Sequence, residues 1–195
     1  MSKQEQLNEL NKQMIACSKC ILSQNCKQVV PGEGSTEAEI MFIGEGPGQK
    51  EDELGRPFVG AAGKFLDEML EIINFKRDQI YIANVVKCRP PQNRDPLPEE
   101  VIACWPWLLA QIKIIQPKLI VTLGRHSMER FLPGKKISTM HGMLVIKTIS
   151  EIGKQNFYTL YHPAAALYNG GMRELLIEDF KKIPKVLEKI EKEKK

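Results

Sequence analysis

Four short runs of apolar, mostly β-branched residues punctuate the chain: Glu39 to Gly44 (EIMFIG), Gln79 to Val86 (QIYIANVV), Lys118 to Gly124 (KLIVTLG) and Asn156 to Tyr161 (NFYTLY). Such continuous runs predict strands covered on both faces, as in a parallel sheet. Between them, apolar positions recur at helical spacing. Phe65, Leu66, Met69, Leu70 and Ile73 share a face over Ala61 to Ile73; Val101, Leu108, Ile112 and Ile115 share one over Pro98 to Ile115; Gly124 to Phe131 is a shorter third stretch. Strand alternating with helix predicts α/β layers around a parallel sheet. Met143 to Thr148, following Gly142, suits an edge strand. No internal repeat or low-complexity linker divides the chain, so one domain over residues 1–195 is expected.

Composition narrows the class. The 195 residues carry 28 Lys and Arg against 24 Asp and Glu, and 43% are hydrophobic. A chain of this length buries about 70% of its unfolded surface without staples, which excludes collagen-like, disordered and mini-protein readings. The start, MSKQEQLNELNKQM, has no apolar signal-peptide core, and no stretch approaches the ~18 apolar residues of a membrane span. A cytoplasmic protein with no membrane partner is expected. The net charge of +4 resides entirely in residues 181–195, which hold seven Lys and three Glu. This tail is expected to be a frayed, solubilising amphipathic helix with Ile183, Val186 or Leu187, and Ile190 on one face; a phosphate-attracting arm is the alternative.

In an open α/β sheet, ligands bind beyond the carboxyl ends of the strands. One strand runs into Gly44-Glu45-Gly46-Pro47-Gly48, a second ends near Asn84, and the last ends at His162-Pro163, so a carboxylate, an amide and an imidazole converge on one crevice. The glycine loop lacks the third glycine of a dinucleotide fingerprint, having Gln49 there. The acidic, turn-rich Gln49 to Pro57 that follows would repel a phosphate, so the loop is read as a sharp turn projecting Glu45. Lys87 to Pro98 is stiffened by prolines, and Lys87, Arg89 and Arg94 suit phosphates. Five cysteines, at 17, 20, 26, 88 and 104, make disulfides improbable in a reducing compartment. Cys17 and Cys20 have the C-x2-C spacing of a metal or cluster site, with Cys88 and Cys104 as further ligands; spacing alone leaves zinc, an iron-sulfur cluster and plain buried thiols open.

Taken together, GEGPGQKEDELGRPFVGAAG, NVVKCRPPQNRDPLPEEVIAC and YHPAAAL closely resemble the type-4, iron-sulfur members of the uracil-DNA glycosylase superfamily. The resemblance runs from about Cys17 to Leu167. It implies a three-layer α/β/α sandwich with a central, mainly parallel four-stranded sheet, and Cys17, Cys20, Cys88 and Cys104 as ligands of a [4Fe-4S] cluster. Gly44, Glu45 and Gly46 match the first active-site motif, Phe58 the uracil-stacking aromatic, Asn84 the base-reading amide and His162 the histidine of the second motif. Departures from the family pattern at Cys26, Tyr168 and His141-Gly142 remove positive charges near possible DNA contacts.

The implied reaction is hydrolysis of the bond between uracil and deoxyribose in DNA, through an oxocarbenium-like sugar with uracil leaving as an anion. Glu45 would face the sugar and orient water, with Asn93 in reserve for holding the water, and His162 would donate to the developing oxyanion. A flipped uracil would stack on Phe58 and be read by Asn84, while Leu167 wedges into the gap and Arg89 and Arg94 meet the backbone. The expected partner is uracil-containing DNA, bound by a monomer, with a sliding clamp as a possible further partner. The rival expectation is a non-catalytic iron-sulfur DNA-binding or sensor protein on the same fold.

Overall fold

The computed structural model describes residues 1–193. Helices α1 (Lys3–Ile15) and α2 (Leu22–Asn25) precede strands β1 (Glu33–Gly34) and β2 (Ile40–Gly44), then helices α3 (Gln49–Leu54) and α4 (Ala61–Ile72) and strand β3 (Tyr81–Asn84). Helix α5 (Pro98–Ile115), strand β4 (Leu119–Leu123), helices α6 (Arg125–Phe131) and α7 (Ile137–Met140), strands β5 (Leu144–Ile149) and β6 (Gly153–Leu160) and helices α8 (Gly170–Phe180) and α9 (Ile183–Lys192) complete the chain. The strands form one sheet in the order β1-β3-β2-β4-β6-β5.

The four central strands are parallel and coincide with the four apolar runs. The expected count of four is corrected to six, because β1 pairs antiparallel with β3 and β5 pairs antiparallel with β6, closing both edges. β1 has two residues, too few for a periodicity to register.

Side-chain alternation sorts the core into two layers. From β2, Met41 and Ile43 join Leu10 and Met14 of α1 and Leu108 and Ile112 of α5 on one face. Ile40 and Phe42 join Leu66 and Met69 of α4, Phe180 of α8 and Ile190 of α9 on the other. The result is the expected α/β/α layering, with β2, β3 and β4 fully buried and β6 buried over its last four residues.

Local signals set several helix starts. Ser2 caps α1 by accepting from Glu5 N, while Glu5 accepts from Ser2 N. Pro98 opens α5, where the Glu100 carboxylate caps Leu97 N at 2.8 Å. The tail is not frayed: Ile183, Leu187 and Ile190 are buried, so packing on the sheet holds α9 where its lysines alone would not. Lys194 and Lys195 lie outside the described residues.

Candidate active site

Because β3, β2, β4 and β6 are adjacent and parallel, their carboxyl ends form one row. From it rise Asn84 at the end of β3, Glu45 after β2, Arg125 and His126 after β4, and His162 after β6. A cleft of about 360 Å³ opens above, lined among others by Glu45, Gly46, Phe58, Asn84, Asn93 and His162. The structure thus brings these predicted residues together, with Gly44 as the floor beneath them.

Asn84 is buried at the end of its strand, and its Oδ1 has no hydrogen-bond partner. An unpaired buried carbonyl costs about 1–3 kcal/mol, so this acceptor is held ready for a ligand's N–H. A Cβ on Gly44 would collide with that same oxygen and stand 2.8 Å from the Phe58 ring. Only glycine lets the Asn84 amide and the Phe58 ring share the floor.

Phe58 adopts a left-handed backbone (φ 51°), unfavourable for an aromatic residue and maintained by its surroundings. Arg77 donates from Nη1 to the Phe58 carbonyl at 3.0 Å and from Nη2 to the Pro57 carbonyl. Glu51 Oε1 accepts from Val59 N and Gly60 N, both at 2.8 Å. The ring faces the His162 imidazole, centroids 5.6 Å apart. Glu51 belongs to α3, which corrects the reading of Gln49 to Pro57 as turn. The first two acids of this helix cap backbone, Asp52 likewise accepting from Lys27 N at 2.9 Å.

His162 Nδ1 accepts from Ala164 N at 3.1 Å, which assigns the ring proton of the neutral imidazole to Nε2. Burial pushes its pKa down to about 4, against a small opposing pull from Glu51. At neutral pH it is an uncharged donor. Glu45 is held the other way: burial pushes its carboxyl above the usual range, Asp95 adds to that, and His126 and Arg125 pull it back.

The Lys87 to Pro98 loop departs from expectation. Lys87 is 2% exposed, so it cannot meet a phosphate; its Nζ donates to the Asn84 carbonyl at 2.8 Å and Gln111 Oε1 at 2.6 Å. Arg94 forks onto the fully buried Glu100 carboxylate at 2.6 and 2.9 Å, and Arg89 Nε donates to Asn93 Oδ1 at 2.7 Å. Leu167, 40% exposed, and Tyr168, 92% exposed, protrude at the end of the 3₁₀ turn Pro163–Leu167 that follows His162.

A second, separate pocket lies four residues from Asn84. Cys17, Cys20, Cys88 and Cys104 line it together with Met14, Leu22 and other apolar side chains. Trp107 Nε1 donates to Cys17 Sγ at 3.4 Å and Lys87 N to Cys104 Sγ at 3.2 Å. Burial raises the Cys88 and Cys104 thiols, and hydrogen bonding with Cys26 raises Cys88 further. Cys26 is beside this pocket and does not line it.

Sequence reasoning missed Glu51, Asp95 and His126. The signal for His126 was available, since β4 was the one central strand whose carboxyl end had been given no residue.

The profile of the Uracil DNA glycosylase superfamily matches residues 31–189. The chain is 50% identical over 185 residues to a type-4 uracil-DNA glycosylase of Sulfurisphaera tokodaii, covering 92% of this chain and 84% of that protein. It is 44% identical to one of Archaeoglobus fulgidus, covering 92% of each. With one of Thermotoga maritima it shares 41% identity over 96% of this chain and 98% of the relative. The row of strand ends and these matches agree: the chain belongs to the uracil-DNA glycosylase superfamily, alongside its type-4 members.

Proposed function

We propose that this protein excises uracil from DNA by hydrolysing the N-glycosidic bond, leaving an abasic site. The observation that carries the reading is the buried, unpartnered Oδ1 of Asn84, set beside Phe58, Glu45 and His162 in one cleft. Uracil offers an N3–H donor and an O4 acceptor, which match the oxygen and the NH2 of Asn84. A flipped base stacks on Phe58 and accepts at O2 from His162 Nε2–H. As the C1′–N1 bond breaks, its electron pair leaves with uracil, and the neutral imidazole stabilises the resulting anion. Glu45 faces the cationic sugar. Water adds its oxygen to C1′ and gives up its proton toward the Glu45 carboxylate, with Asn93 at the mouth of the cleft.

The cysteine pocket fits a [4Fe-4S] cluster. Four thiols meet in an apolar pocket supplied with N–H donors, the setting such clusters use. Cys17, Cys20, Cys88 and Cys104 would hold the cluster, which when bound supplies a cross-link from the N-terminal segment to the loop after β3 and to α5. DNA would run past Arg89, Arg94 and Leu167, one copy of the chain acting as a single domain in the cell interior. No helix among the described residues is long and apolar enough to cross a membrane.

The test is alkali-induced strand cleavage of oligonucleotides carrying one uracil or one cytosine. Cleavage at uracil alone supports the reading. Tight binding without cleavage would replace it with the non-catalytic DNA binder.

A further inference from the structure

The Glu45 carboxylate, on which the proposed function rests, has one basic group within 4 Å among the described residues: His126, whose Nε2 is 3.9 Å from Glu45 Oε2. His126 stands at the start of α6, and that helix is fixed to the catalytic strand by its next residue. Ser127 Oγ donates to the Ile43 carbonyl at 2.6 Å, two positions before Glu45. Gly124 N donates to the Leu160 carbonyl at 2.8 Å, two positions before His162. The start of α6, which carries the imidazole, is thus tied to β2 on one side and to β6 on the other.

Two side chains hold the ring in turn. Its Nε2 faces Arg125 Nε at 2.9 Å and Asp95 Oδ2 at 3.2 Å, and Arg125 also reaches Asp95 at 3.1 Å. The neutral ring accepts from Arg125; the protonated ring donates to Asp95 and turns a positive charge toward Glu45. A further cavity of about 340 Å³ adjoins this group, lined by Glu45, His126, Glu129 and Arg130 among others. Glu45 therefore borders open space on two sides, and among the described residues no hydrogen bond fixes the direction of its carboxylate.

We propose that His126 is a positioning residue for Glu45, holding the carboxylate toward the sugar, with Asp95 and Arg125 holding the imidazole. The charged and titratable groups facing the pair are Arg94 and Asp95 from the loop after β3, Arg125, Glu129 and Arg130 from α6, Glu51 from α3 and His162 after β6. The surroundings predict opposite signs for two substitutions. His126 lowers the Glu45 pKa and Asp95 raises it, so losing either moves the carboxyl in opposite directions.

The test uses the full chain and His126→Gln, Asp95→Asn and Glu45→Gln variants. His126→Gln is expected to cut kcat for uracil release about 10- to 100-fold, the cost of a misdirected catalytic group, while KM stays within about twofold. In the Glu45→Gln background the same change should cost nothing further. The acid limb of kcat should rise by about 0.5 to 1 pH unit in His126→Gln and fall in Asp95→Asn. The side-chain carboxyl carbon of Glu45, followed by NMR in protein carrying 13C-labelled glutamate, should titrate with the same ordering without turnover. A loss confined to KM, a loss that persists without Glu45, or a Glu45 midpoint unmoved in both variants overturns the proposal. Wild-type protein that releases no uracil would instead overturn the proposed function, and the NMR ordering still decides the role of His126.

Discussion

The cleft and the cysteine pocket are joined by the short segment from Asn84 to Cys88, yet they treat polar groups in opposite ways. In the cleft, Asn84 Oδ1 is left without a partner and Phe58 sits in strained backbone. On the pocket side, the Lys87 ammonium is bound by the Asn84 carbonyl and Gln111 Oε1, and Gln111 in turn donates to the Pro31 carbonyl at 2.7 Å. A site for a passing substrate keeps bonding capacity in reserve, and the substrate completes it. A site for a permanent group has its surroundings satisfied beforehand, which gives it stability in place of reactivity.

The contrast is most severely tested at Asn84. Cytosine presents an N3 acceptor and an N4–H donor, the reverse of uracil, so wild-type discrimination should be on the order of 10² to 10⁴. Asn84→Asp should lose much uracil activity and gain measurable cytosine excision, best at mildly acidic pH where a shared proton bridges acid and base. Matched oligonucleotides across pH provide the measurement, and unchanged uracil activity would show that the unpaired oxygen does not read the base.

Next in size, Glu45→Gln and His162→Ala should each slow turnover about 10²- to 10³-fold with little change in DNA affinity or Tm. Single-turnover kinetics beside a binding titration separates the two quantities. A loss in affinity with turnover intact would place these residues on the permanent side of the comparison.

The cysteine pocket should respond in the reverse sense. Anaerobically purified protein should be brown, absorb near 400 nm and contain about four irons. Cys88→Ser or Cys104→Ser should lose the colour and much of the thermal stability, while Cys26→Ser keeps both. Lys87→Met, which strips two buried acceptors of their donor, should cost about 1–3 kcal/mol in denaturant unfolding. A Lys87→Met protein as stable as wild type would remove the claim that this side is tightly satisfied.

The effect that leaves neutral pH untouched is acid sensitivity. With its folded pKa lowered to about 4, His162 binds fewer protons folded than unfolded. Its contribution is therefore complete above about pH 6.5 and is lost as pH falls toward 4, at roughly 1.4 kcal/mol per unit at most. His162→Gln should flatten the stability curve in that window.

Much of this was legible in the sequence because it depends on local pattern. The four parallel strands, α5 from Pro98 to Ile115 and three of the four strand-end residues follow from apolar runs and their punctuation. What escaped depends on distant partners. α3 read as turn because the groups its acids cap, at Val59, Gly60, Lys27 and Gln28, are backbone amides with no sequence signature. Lys87 read as a phosphate contact because its burial depends on Gln111, 24 positions away. The ion pair of Arg94 with Glu100 was not legible either, since Glu100 is an ordinary helix-start acid until its burial is known. His126 looked like one more polar helix residue until the sheet order placed it between Glu45 and His162.

The crowded floor of the cleft bears on how such a site changes over generations. A side chain at Gly44 would strike Asn84 Oδ1 and the Phe58 ring, and one at Gly63 would strike the Phe58 carbonyl. Gly63, which faces backbone, is closed to drift whatever fills the cleft, and Gly44 is closed for as long as Asn84 and Phe58 keep their side chains. A lineage moving toward another lesion must travel through Asn84, the ring at 58 or the residues flanking Glu45, so the paths open to it are few and can be enumerated before any library is made.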